Sequence, residues 1–125
     1  MASKRQLQVA ELIKRNLGII LQQEGAYIYG VEALVTVTNV KMTPDFSIAK
    51  VYLSVYNIED KQSVILHLEE NYPRVRQMTA HRLKRQIRRV PELQFYLDDT
   101  LDEMYRLNAL FDDLRNKDQL GEAES

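Results

Sequence analysis

Two prolines eighteen residues apart set the terms for the fold of this chain. Pro73 and Pro91 bracket NYPRVRQMTAHRLKRQIRRVPEL, residues 71–93. Proline is welcome in the first turn of a helix but removes a backbone donor within one, and it pushes the residue before it out of the α region. A helical segment can therefore begin at Pro73 and must stop by Val90. Between them Val75, Thr79, Leu83 and Ile87 recur every four residues, with Val90 at the end. That spacing makes one apolar stripe. The stretch holds seven of the chain's seventeen Lys and Arg residues and no acid before Glu92. Arg74, His81, Lys84, Arg85 and Arg88 fall opposite the stripe, with Arg82 and Arg89 flanking it. Arg76 projects toward the apolar side, where a long stem can carry its charge out to water.

Upstream, Asp60 is expected to cap a shorter helix carrying Val64, Ile65 and Leu68. Tyr72 precedes a proline, so the reading is two helices joined by a kink at Asn71-Tyr72-Pro73 rather than one rod. The chain opens with a capping box, Ser3 with Gln6. A helix follows with Leu7, Ala10, Ile13, Leu17, Ile20 and Leu21 inward, and Lys4, Gln8, Glu11 and Arg15 outward. Gly25 is its expected stop, with 26–32 a loop. Residues 33–42 (ALVTVTNVKM) read as a strand. Val35 and Val37 share one parity, Val40 and Met42 the other, so one extra residue is expected near Thr38-Asn39 as a bulge. Thr43-Pro44-Asp45-Phe46 reads as a turn, and 47–56 as an alternating strand with Ala49, Val51, Leu53 and Val55 inward and Lys50, Tyr52, Ser54 and Tyr56 outward. The short connection makes the pair an antiparallel hairpin. Leu93, Phe95 and Leu97 give a third strand. Thr100 and Glu103 form a second capping box before a last helix with Met104, Leu107, Phe111 and Leu114. The expected architecture is α+β, a three-stranded sheet with helices on one face plus a short C-terminal helix, in one domain over 1–114 with a polar tail over 115–125.

Composition narrows the function. The chain has 125 residues and no cysteine, which removes disulfides, thiolate metal sites and cysteine nucleophiles. Its net charge of −1 conceals an asymmetry: residues 1–91 carry fourteen bases and eight acids, while 92–125 carry three bases and ten acids. Like charge gathered in one part points to an anionic partner for that part. The two histidines, His67 and His81, have no metal-ligand spacing. Asp98, Asp99, Asp102 and Glu103 are more simply strand-end and helix-cap residues than a metal site. No phosphate-binding loop, dinucleotide fingerprint or nucleophile–base arrangement is present, so neither enzyme activity nor a cofactor is expected. No apolar run is long enough for a signal peptide or a membrane span, and a reducing, cytoplasmic address fits.

Two segments resemble a known family. Val40-Lys41-Met42-Thr43-Pro44-Asp45-Phe46-Ser47-Ile48-Ala49-Lys50-Val51-Tyr52 and Val90-Pro91-Glu92-Leu93-Gln94-Phe95-Tyr96-Leu97-Asp98, running on to Leu101, closely resemble bacterial ribosome-binding factor A, and the likeness covers roughly 4–112. The resemblance implies a type II KH-like fold and a non-enzymatic, monomeric assembly factor. Its partners would be the free small ribosomal subunit and its rRNA late in maturation, with other assembly factors, including a GTPase, and a link to rRNA processing and growth in the cold. The family lacks the GxxG loop of ordinary KH domains, as does this chain, whose glycines are 18, 25, 30 and 121. It usually has small residues at the kink, where this chain has Asn71-Tyr72-Pro73. The expected RNA-binding residues are Arg74, His81, Arg82, Lys84, Arg85, Arg88 and Arg89, with Tyr72 as a stacking candidate beside them and Lys4 and Arg5 extending the patch. The alternative is a protein-interaction or dimerisation module whose basic face meets an acidic protein surface.

Overall fold

The computed structural model describes residues 2–98. The expected last helix and the tail over 115–125 lie outside them. The described chain runs α1 (Lys4–Tyr29), β1 (Leu34–Met42), β2 (Ile48–Tyr56), α2 (Gln62–Glu70), α3 (Tyr72–Leu83) and β3 (Glu92–Leu97). β2 is central, antiparallel to β1 and parallel to β3. The helices cover the face from which Val37, Val40, Met42, Ala49, Val51, Leu53, Val55, Leu93 and Phe95 project into one core. No described helix is long and apolar enough to cross a membrane.

The Ser3 capping box forms in both directions: Gln6 N–H donates to Ser3 Oγ (3.1 Å) and Ser3 N–H to Gln6 Oε1 (2.7 Å). Gln6 also donates through Nε2 to the Met42 carbonyl at 3.2 Å, tying the start of α1 to the end of β1. This corrects the inward stripe. Gln6 and Val9 take the first core positions, and Leu7 is 61% exposed. Gly25 is no stop either. The helix runs a further turn because Ile28 still reaches the core, and it ends at Gly30, at φ +96°. Gly25 is instead a close-approach glycine, since a Cβ there would collide with the Tyr29 side chain. The Tyr29 hydroxyl donates to the Leu21 carbonyl (3.4 Å), and burial raises its pKa to about 12.

The bulge falls where the parity change placed it. Val37 pairs with Leu53 and Asn39 with Tyr52, leaving Thr38 over. Thr38 Oγ1 lies 2.5 Å from Asp98 Oδ2 and 3.2 Å from the Tyr52 carbonyl. Ser54, expected outward, is 4% exposed with its hydroxyl unpaired. It is a short side chain on the central strand, between Tyr52 and Tyr56 on the same face. Asp60 caps α2 by its carbonyl rather than its carboxylate, accepting from Ser63 N–H and Ser63 Oγ.

The predicted kink is present. Asn71 leaves helical geometry at φ −102° and ψ 18°, with its side-chain amide donating to the His67 carbonyl. The expected helix to Val90, however, ends at Leu83. Lys84 and Arg88, and Arg85 and Arg89, would stand at i,i+4 in a continued helix, and such like-charge pairs oppose it. Gln86 and Ile87 N–H groups both close on the Leu83 carbonyl, and the chain then opens into bends. Ile87 and Val90 are nonetheless buried. The apolar reading held while the helical one failed.

The hairpin turn is held by one carboxylate. Asp45 Oδ1 accepts from Thr43 Oγ1 (2.8 Å), Ser47 Oγ (2.7 Å) and Ser47 N–H (3.1 Å). These bonds, those from Ser47 foremost, hold its pKa below the usual 3.8. They also hold Phe46 at φ +62°, a conformation that is rare for a bulky side chain and strained by roughly 1–3 kcal/mol. A depressed carboxylate pKa contributes stability that is full above 3.8 and lost as pH falls through the lower folded value. Asp45→Ala is therefore expected to lower the melting temperature at neutral pH, with the gap from the native chain closing in acid. Thermal melts across that range check it, and a constant gap would reject it.

Candidate nucleic-acid interface

The basic stretch divides once its neighbours are in place. Arg74 forms an ion pair with Glu24 of α1 at 2.9 Å. Arg82 donates through Nε to Asn16 Oδ1 at 3.0 Å, also on α1. These two cations brace α3 against α1. Arg82 and Glu24 border a groove of about 410 Å³ between the two helices, lined in part by Ile20, Met78 and His81. His81 is exposed at its rim. Arg76, for which local pattern gave no role beyond snorkelling, donates to the Val90 carbonyl at 2.7 Å. It pins the irregular segment 84–91 to α3, replacing the helical bonds that this segment lacks.

Lys84, Arg85, Arg88 and Arg89 are exposed and make no hydrogen bond or ion pair among the described residues. The fold brings Arg5 to the last two. Glu92 N–H donates to the Ser47 carbonyl (2.8 Å), seating the start of β3 beside the hairpin turn, and the Gln6–Met42 bond seats α1 at the same end of the sheet. Arg5, Arg88 and Arg89 consequently border one groove. Lys4 is exposed on the same first turn of α1. The structure thus brings Arg5, Arg88 and Arg89 to one groove, with Lys4 on the same first turn of α1 and Lys84 and Arg85 on the segment that leads there from α3. Arg74 and Arg82 are set apart from them by their own partners.

Tyr72 is placed chiefly as a structural residue. Its hydroxyl accepts from Leu93 N–H at 2.9 Å, and its ring packs against the core. That bond links the kink to β3 and gives the tyrosine at this position a structural role. On the face of the sheet away from the helices, Tyr52 and Tyr96 stack with centroids 5.5 Å apart, and Lys41 Nζ lies 5.7 Å from the Tyr52 centroid. Asp98 acts as a strand-end residue, donating its N–H to the Leu53 carbonyl at 2.7 Å, while Asp99, Asp102 and Glu103 lie outside the described residues. Among the described residues no group of acidic, His or Cys side chains is gathered closely enough to hold a metal ion.

Nothing in the local sequence could have found Glu24, Asn16 or the Val90 carbonyl as partners. They are respectively 50, 66 and 14 positions from the arginines they hold.

An α-β-β-α-kink-α-β order with a three-stranded sheet and no GxxG loop defines a KH-like domain. The family model for ribosome-binding factor A matches residues 5–111, and the chain belongs to that family. Curated relatives of that name from Cytophaga hutchinsonii and Chloroherpeton thalassium are each 36% identical to it. The first aligns over 82% of this chain and 76% of the relative, the second over 86% and 85%. The crystal structure of ribosome-binding factor A from Thermus thermophilus superposes with a TM-score of 0.60 at 24% identity, covering 74% of this chain and 94% of that one. A homology model of the Thermus thermophilus protein, fitted into the electron-microscopy map of its complex with the 30S subunit, has a TM-score of 0.58 at 23% identity, covering 79% and 97%.

If Arg76 pins segment 84–91, Arg76→Met should keep its apolar stem and lose the pin. The expected cost is about 1.5–3 kcal/mol, the range for a hydrogen bond made by a charged donor. Amide exchange should rise at residues 84–90 more than in α1. A uniform rise through the domain would contradict this local role.

Proposed function

We propose that this chain is an assembly factor that binds the small ribosomal subunit by its rRNA, without catalysing a reaction itself. The carrying observation is the group of exposed cations Lys84, Arg85, Arg88 and Arg89, joined by Lys4 and Arg5, none of which spends its charge on another described residue. Burying two thirds of a domain this size leaves a surface on which mixed charge suffices for solubility. A cluster of one sign, held at the meeting point of α1, the hairpin turn and β3, is what a phosphate backbone requires. Arginine's planar fork suits phosphate oxygens, and such contacts fix position and orientation more than sequence. Membership of a ribosome-binding family supports the choice of partner, as does the relative fitted into a 30S map.

Mechanistically, the cationic end docks on phosphates, while α1 and the sheet hold segment 84–91 in place behind it. Arg74 and Arg82 support the docking surface from the α1 side and contribute less charge to it, because Glu24 balances one and Asn16 orients the other. Bound late in subunit maturation, the domain would hold a local rRNA conformation that assists rRNA processing, most valuably in the cold where misfolded RNA escapes slowly. A GTPase-driven step would then release it.

If the docked end neutralises about four phosphates of single-stranded RNA, log K falls against log salt with a slope near −3. Co-sedimentation with isolated small subunits should be lost when Arg85, Arg88 and Arg89 are all changed to Glu, with circular dichroism showing the fold intact. Arg74→Gln should weaken binding less than Arg88→Gln. A folded triple variant that still co-sediments like the native chain would reject the assignment.

A further inference from the structure

A groove of about 180 Å³ opens at the cationic end. Val9, Met42, Phe46, Ile87 and Pro91 supply its apolar lining, and Arg5, Arg88 and Arg89 stand around it. These side chains come from α1, the end of β1, the hairpin turn and the segment before β3, so only the tertiary fold creates the groove.

Two independent observations mark it as a site. The first is Phe46, held at φ +62°. Asparagine or glycine would occupy that conformation with less strain, and the turn's own bonds do not call for a ring. Its backbone N–H goes to the Thr43 carbonyl, and Asp45 binds Thr43 and Ser47. An aromatic side chain kept in an unfavourable conformation by bonds from its neighbours is a side chain presented to something. Phe46 is only partly buried, packed on the core while also lining the groove.

The second observation is electrostatic. Arg5, Arg88 and Arg89 are exposed and make no hydrogen bond or ion pair among the described residues. Guanidinium groups around an aromatic-lined apolar slot suit a ligand that is flat and apolar in its middle and anionic at its edges. An acidic peptide would satisfy the cations and leave the aromatic face unused. A base pair within a helix keeps its faces stacked on its neighbours and has none to offer. A nucleotide turned out of its helix offers both a bare base and flanking phosphates.

We infer that this groove takes a single unpaired nucleotide of RNA, its base stacked on Phe46 and its phosphates held by Arg5, Arg88 and Arg89. The inference rests on the RNA-binding reading above and adds the form of RNA that the surface selects. The cations supply attraction to any RNA, and Phe46 supplies the preference for an unpaired base.

The full chain is to be titrated with a short single-stranded oligouridine carrying one central 2-aminopurine, and with a fully paired RNA duplex of the same length at the same salt. The native chain should prefer the single strand and change the 2-aminopurine fluorescence as the base stacks. Phe46→Asn, comfortable at positive φ, should weaken single-strand binding by about 5- to 150-fold, the range for losing one aromatic–base stack, and abolish the fluorescence change. Its salt slope should match that of the native chain, because the phosphate contacts remain. Phe46→Leu keeps the apolar packing without the flat ring, and should behave likewise even if Phe46→Asn folds poorly. If Phe46→Leu binds and changes the fluorescence like the native chain, with salt-sensitive binding intact, the nucleotide site is wrong while the RNA-binding reading stands. Equal affinity for duplex and single strand overturns the site in the same way. If the native chain binds neither RNA at any salt, the underlying reading fails with it.

Discussion

The parallel pairing of β3 with β2 is the constraint from which most of the structure follows. An antiparallel partner could have turned back directly after Tyr56. A parallel one has to begin where β2 begins, so the chain must recross the whole sheet between Tyr56 and Glu92. That recrossing contains α2, the kink at Asn71, α3 and segment 84–91. The first three lay an apolar stripe on the sheet through Val64, Leu68, Val75, Thr79 and Leu83. The last has to bring the strand in beside Ser47, and it carries four arginines and lysines while doing so. The cationic end is thus a by-product of strand direction. Residues that must travel along the open end of the sheet cannot be buried, apart from Ile87, Val90 and Pro91 where they touch the core.

The same recrossing explains why the basic residues are not equivalent. Residues at the two ends of α3 face α1 and are drawn into bracing it, Arg74 by an ion pair and Arg82 by a hydrogen bond. An exposed ion pair of this kind adds little stability, roughly 0–1 kcal/mol, so its main effect is on orientation and on the charge left over. Beyond Leu83 the chain runs past the start of α1, and its cations find no such partner among the described residues. Arg76 belongs to neither group. It reaches forward to the Val90 carbonyl and stabilises a segment with few backbone bonds of its own. A cationic surface held by a cation is a local electrostatic cost. It is offset because the Arg76 guanidinium donates to a carbonyl oxygen.

The hairpin turn makes the corresponding contribution from the other side of that end. Asp45 fixes the loop, the loop fixes Phe46, and Ser47 receives the start of β3 through its carbonyl. A single short turn therefore sets the geometry of both the strand pairing and the apolar lining beside the arginines. The strain at Phe46 persists because the surrounding bonds over-determine the turn.

The sequence by itself determined the elements that depend on local periodicity and backbone chemistry. Parity located the bulge at Thr38, the capping box located the start of α1, Tyr72-Pro73 located the kink, and the two quoted motifs were enough to indicate the family. Where local pattern misled, the deciding contact was distant in the chain. Gln6 displaced Leu7 from the core side because its amide reaches Met42. Gly25 did not end α1 because Ile28 still had core to bury and Tyr29 folded over the glycine. The run to Val90 kept its apolar spacing and lost its helix, because charge repulsion and the path into β3 outweighed periodicity. Above all, a row of cations in a sequence carries no record of which will meet a carboxylate. Glu24, Asn16 and the Val90 carbonyl settled that, and only the tertiary structure could bring Arg5 and Phe46 beside Arg88 and Arg89. Local sequence fixes which way a side chain can point, but the net charge and shape of a surface are sums over neighbours that only folding brings together.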